Sequence, residues 1–233
     1  VVASERRMSI ENNNEAILYE NVRATAIMAH PYHWDVIGWM SDILGWRPDD
    51  IKQYYKTYYA PNNAVLVVVG DFETSKLLEL IKKYYAHIPA QVPPPPVITV
   101  EPPQLGRKEA IIRKEAQTPS FMVAYHGPDC TSPDFFALSI LQKPLLEGES
   151  SRLYRRLVRE EQLALSVSGS IEEKIDPFLF FIEVKPRPGV DLARIEKIID
   201  EELTKIIQDG LTETEYEKAL NIVRSSFYSS LQT

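Results

Sequence analysis

The chain has 233 residues, 44% of them apolar, and a formal net charge of −7 at pH 7. No basic stripe is available to neutralise phosphates, which excludes a nucleic-acid surface, and no apolar run approaches the roughly 18 residues needed to span a bilayer. The single cysteine, Cys130, excludes an internal disulfide and a multi-cysteine metal site, and reads as a small half-buried hydrophobe.

The opening residues VVASERR are no signal peptide and no initiator methionine precedes them, so the start reads as processed or cut and leaves the compartment open. Helical spacing follows at once in Ile17, Leu18, Val22, Ala26 and Ile27. In His30-Pro31-Tyr32-His33 the proline drives His30 out of the helical region, so the two imidazoles cannot share a helix face and are read as loop anchors. Pro48-Asp49-Asp50 starts a helix and Pro61 forbids its continuation, which brackets Ile51 to Tyr59. Asn62-Asn63 suits a tight turn, and the β-branched run Val65 to Val69 predicts a strand covered on both faces, ended by Gly70-Asp71. Thr74 or Ser75 would cap the next helix, whose Leu77, Leu80, Ile81, Tyr84, Tyr85 and Ile88 form one stripe ending at His87. The proline-dense stretch from Pro89 to Pro103 excludes helix and predicts a semi-rigid linker with a boundary near Pro96.

Beyond the linker, Glu109–Glu115 and Ser120–His126 read as strands, the second closed by His126. Ser132-Pro133-Asp134 is a strong helix start; Pro144 should kink or end that helix and Gly148 interrupt it. Ser150-Ser151 would cap a short basic helix, RLYRRLVREEQ, whose arginines are either an anion-binding patch or its wet face. Leu165–Ile171 and Phe178–Val184 read as further strands. Two long helices close the chain: one carries Ile195, Ile198, Ile199, Leu203 and Ile206 and stops at Gly210, and the other opens on a Thr212/Glu215 capping box. The expected class is α+β, with largely antiparallel sheets and helices packed on one face.

The wording HPY, VIGW and YYAPNNAVLVVVGD, and later LLEGESSRLYRRLVREEQLALSVSG, resembles the insulinase/pitrilysin-type zinc metallopeptidases, a family that includes mitochondrial processing peptidase. The resemblance implies two homologous domains, the first incomplete: residues 1–95 as the later part of a zinc-bearing domain, 96–104 as linker and 105–233 as a second domain cut short at Thr233. It also implies that VVASE is the end of a metal motif, which makes Glu5 the third zinc ligand beside two histidines of an upstream H-x-x-E-H helix. Two imidazoles and one carboxylate leave zinc an open position for the water that attacks a peptide carbonyl. No H-x-x-E-H occurs in this chain, so no catalytic residue is assigned within it, and weak or no zinc binding and no activity are expected of the chain alone. The family's substrate-holding arginine and tyrosine align with Val158 and Leu165. Glu5 without that pair implies the metal-bearing subunit of a two-subunit peptidase acting on peptides or unfolded protein, with a homologous partner. A non-catalytic scaffold subunit of the same family is the alternative.

Overall fold

The computed structural model describes residues 1–231; the expected end of the second domain at Thr233 lies outside the described residues. Along the chain come α1 (Val2–Arg6), a π-helical turn (Arg7–Glu11), α2 (Asn14–Ala26), a 3-10 turn (Pro31–His33), α3 (Met40–Gly45), α4 (Pro48–Tyr58) and α5 (Thr74–Tyr85). After the proline-rich segment follow β1 (Phe121–His126), α6 (Pro133–Leu146), α7 (Arg152–Tyr154), a second π-helical turn (Arg155–Glu160), β2 (Ala164–Ile171), β3 (Leu179–Pro186), α8 (Leu192–Asp209) and α9 (Glu213–Ser230). They form two compact units. One comprises residues 1–6 and 36–100; the other comprises 7–35 and the chain from Glu101 onward. Residues 7–35, grouped with the first half by the sequence, thus associate with the second unit.

The second unit is built on an antiparallel sheet of order β1-β3-β2. Its central strand LFFIEV is apolar at nearly every position because it is covered on both faces. Phe180, Ile182 and Val184 point into a core shared with α6, α7 and α8, the one-sided helical layer that the pattern predicts. Leu179 and Phe181 point the other way, against Ile27 and the Tyr19, Val22 and Ala26 face of α2, an additional cover that the pattern did not reveal. Residues Leu179 to Val184 other than Glu183 are 0–5% exposed, and each large side chain so buried contributes about 1.5–3 kcal/mol. Gly169 in β2 leaves no room for a side chain: a Cβ there would collide with the Phe181 carbonyl oxygen and lie 2.7 Å from Leu146 Cδ1.

Local signals set most helix ends. The Ser132 hydroxyl accepts from Asp134 N–H, the Thr212/Glu215 box is reciprocal, and Gly210 ends α8 at φ +72°. Other ends depart from expectation. Pro48 itself takes the first turn of α4, and α5 begins at Thr74 with Glu73 in the capping position and stops at Tyr85, short of His87. Pro144 does not itself end α6, which runs two residues further. The basic helix is not one α-helix but one short turn continued as a π-helical turn, and Ser151 makes no side-chain cap. Glu109–Glu115 forms no strand: it has no ladder partner among the described residues, and its contacts include Asn14 Nδ2 donating to Glu115 O (3.0 Å), Lys114 to Glu11 O and Arg107 pairing with Glu109 (3.1 Å).

The first unit is helical, with α1 against α3 and with Ile43 and Ala60 buried. Asn62 holds the turn after α4 by a reciprocal pair with the Gln91 backbone, at 2.9 and 3.0 Å. The expected strand Val65–Val69 does not form, and its residues are 40–91% exposed. A strand needs a neighbour to take its N–H and C=O groups, and this unit supplies none among its described residues. The apolar stripe of α5 is likewise half bare. Trp39 lies here beneath the Arg6 guanidinium, 5.5 Å from the ring centre, with Trp46 close by in sequence. Together with Trp34 of the second unit they complete the tryptophan complement, each 38–47% exposed.

Candidate functional site

Glu5 sits on α1, one residue before a buried arginine. Arg6 fixes this helix by donating from Nη1 to Gly38 O at 2.6 Å and by lying over Trp39, while the Glu5 side chain is exposed. One carboxylate by itself does not make a zinc site. No group of three or more His, Cys, Asp or Glu side chains able to hold a metal ion occurs among the described residues. The donors present in this chain therefore do not fit zinc without others.

The histidines serve elsewhere. His30 is buried with its Nδ1 accepting from Tyr32 N–H (3.2 Å), its ring edge-on to Tyr32, and its Nε2 3.5 Å from Asp176 Oδ2. His33 lies against Trp34. These fit the loop-anchoring reading. His126, without a partner visible in the sequence, has Gln104 Oε1 at 3.2 Å. Cys130 is half-buried against the main core.

The two positions aligned with the family's substrate-holding pair are apolar and differently placed. Val158 lies in the second π-helical turn, packed against the main core. Leu165 is half exposed at the register shift in β2 between Ala164 and Ser166, where a bulge turns a side chain out of the sheet. The neighbouring arginines are engaged by carboxylates. Arg152 makes two bonds to Glu215, at 2.7 and 2.6 Å, and Arg156 reaches Glu202 (2.7 Å), Glu201 (3.0 Å) and Glu161 (3.4 Å). Arg159 pairs with Glu149. Hydrogen bonds from Arg152 hold the Glu215 carboxyl down to about 2 against the opposing effect of burial, with Thr212 adding its N–H and hydroxyl. The patch is thus a structural ion-pair network. Several of its carboxylates were not singled out from the sequence; of these Glu202 carried a signal, since it falls on the apolar stripe of α8, where a charge is out of place unless paired.

Two shallow grooves open on the second unit. One of about 500 Å³ is polar, lined by Asn13, Asn14, Thr118 and Ser120 with the paired Glu15 and Lys185. The other, about 370 Å³, lies between the end of α6 and β2, where Gln142 Oε1 accepts from Ile171 N–H at 3.1 Å. Neither is lined by a histidine or a cysteine.

The second unit, an antiparallel three-stranded sheet with helices packed on it, defines the fold class as α+β. The chain belongs to the peptidase M16 family: the description "Peptidase M16 inactive domain" matches residues 45–223. It is 32% identical over 237 residues to the zinc protease PqqE of Helicobacter pylori, covering all of this chain and 53% of that protein. The mitochondrial-processing peptidase subunit beta of Lentinula edodes is 24% identical over 140 residues, 58% of this chain and 30% of that one. A crystal structure of a protease from Helicobacter pylori superposes with a TM-score of 0.90 at 32% identity, covering 100% of this chain and 56% of that chain. The chain thus spans about half the length of these Helicobacter pylori relatives.

Proposed function

We propose that this chain is part of a zinc metalloendopeptidase, in which Glu5 is one metal ligand and the imidazoles come from elsewhere in the full protein. The exposed Glu5 on a helix anchored by Arg6 carries this reading. In the same reading residues 1–95 belong to the metal-bearing domain and 105–233 to a second, supporting domain, joined by 96–104. The bare run Val65–Val69 supports that division, since so apolar a segment suits a sheet completed by further chain. Zinc, when held there, would supply an activated water and a polarised carbonyl. The residues of this chain would hold the metal through Glu5 and support the wall around it.

The apolar Val158 and Leu165 favour a two-subunit enzyme, in which a homologous partner provides the groups that grip the substrate backbone. A relative named as a subunit supports this. The same two positions also favour a second reading, a non-catalytic scaffold subunit. The two separate on one experiment with the full-length protein, with and without its homologous partner: zinc content by metal analysis and cleavage of unfolded peptide substrates. The peptidase reading expects bound zinc and cleavage, both abolished by Glu5→Gln. A full-length protein with neither, or one indifferent to Glu5→Gln, overturns it.

A further inference from the structure

The chain leaves the second unit after Asp35 and re-enters it at Glu101, and both crossings are tied down within a few residues of each other. On the way out, Arg23, packed between the Tyr19 and Phe178 rings, donates to Tyr32 O (3.2 and 2.9 Å) and Trp34 O (2.8 Å) and pairs with Asp35 at 3.3 Å. On the way back, the Glu101 carboxylate accepts from three successive backbone amides: Met28 N–H at 2.7 Å, Ala29 N–H at 2.8 Å and His30 N–H at 2.9 Å. These amides follow the end of α2, where the backbone has turned extended at Ile27, so no helical carbonyl is there to take them. Successive amides converging on one point make an anion-binding concavity.

We infer that the backbone of Met28–His30 is a carboxylate receptor, that Glu101 is its resident ligand, and that this one acid latches the returning end of the proline-rich segment. The two anchors differ in kind. Arg23 is a permanent cation, whereas Glu101 is titratable, so the return is the releasable crossing. The groups around it are Lys108, whose ammonium donates to Ala26 O at 2.9 Å, and the His30 ring with Asp176 behind it. Burial raises the Glu101 carboxyl, but the three amides and Lys108 outweigh that and hold it below its ordinary value of 4.5. A carboxyl depressed by folding keeps its contribution above that ordinary value and loses it as pH falls through the lower folded one, so the latch opens only in acid.

This inference is independent of any peptidase activity. Its test is amide hydrogen exchange of Met28, Ala29 and His30, read by NMR on the full chain. In Glu101→Ala and Glu101→Gln these three amides are expected to exchange on the order of tenfold faster or more, while amides of α8 keep their protection. Added acetate should restore protection in Glu101→Ala, because the receptor then takes a free carboxylate. Unchanged exchange at the three amides, a loss spread evenly over the unit, or no effect of acetate would each overturn it. Should the variants not fold, the wild-type chain decides: the three amide shifts must move together in one acid titration below pH 4.5, and their failure to do so overturns the latch.

Discussion

Two predominantly apolar runs that both read as strands meet opposite fates in this molecule. LFFIEV in β3 is sealed between two strands and two helical layers, while VLVVV at Val65–Val69 carries at least as much β-branched character and lies open to water without a ladder. Propensity is the same in kind; what differs is whether other strands are present to take the backbone groups. A strand is a relation between segments, and the intrinsic preference of Val or Ile for extended backbone is too small to create one alone.

That comparison can be broken by stability measurements. The largest effect is expected from Ile182→Ala, which empties a fully buried position in β3 and should cost about 2–5 kcal/mol in urea unfolding. The ion-pair network comes next. Glu215→Gln removes a carboxyl whose folded value is depressed to about 2, so the wild-type advantage is present above 4.5 and is lost as pH falls from there toward 2. The variant is therefore expected to be less stable near neutrality and to show a flatter acid limb over that window. The smallest effect is expected from Val67→Ala, within about 0.5 kcal/mol, because that residue is 75% exposed. A cost at Val67 comparable with that at Ile182 would show that the run is covered after all, and would remove the contrast.

What the sequence discloses divides along the same line. Elements fixed by local chemistry were legible: the Ser132 and Thr212 caps, the Gly210 stop, the stripes of α8 and α9, and three strands of alternating or unbroken apolar character. Features fixed by distant partners were not. Val65–Val69 and Glu109–Glu115 read as strands because no pattern within them tells whether a neighbour exists. The second π-helical turn differs from the α-helical form by a register that the side chains of RLYRRLVREEQ do not encode, and α2 on the far face of the sheet depends on a chain path that crosses between units.

The candidate site follows the same rule. Glu5 was singled out by the wording VVASE rather than by any local physical signal, and an exposed acid on a short helix would otherwise pass as surface. Glu202 could have been found from its place on an apolar stripe. Glu101 could not, since its three partners lie some seventy residues back and are backbone groups that any sequence supplies.

The placement of the tryptophans has a practical outcome for anyone following this protein by light. Trp34, Trp39 and Trp46 all fall within thirteen residues around the first crossing, half in water, and the sheet holds no indole. An emission-monitored melt would report when that short stretch loosens and stay nearly dark to the collapse of β1, β2 and β3. Far-ultraviolet circular dichroism would register the helices and strands of the whole chain instead, and a gap between the two midpoints would show that the tryptophan stretch loosens separately from the rest.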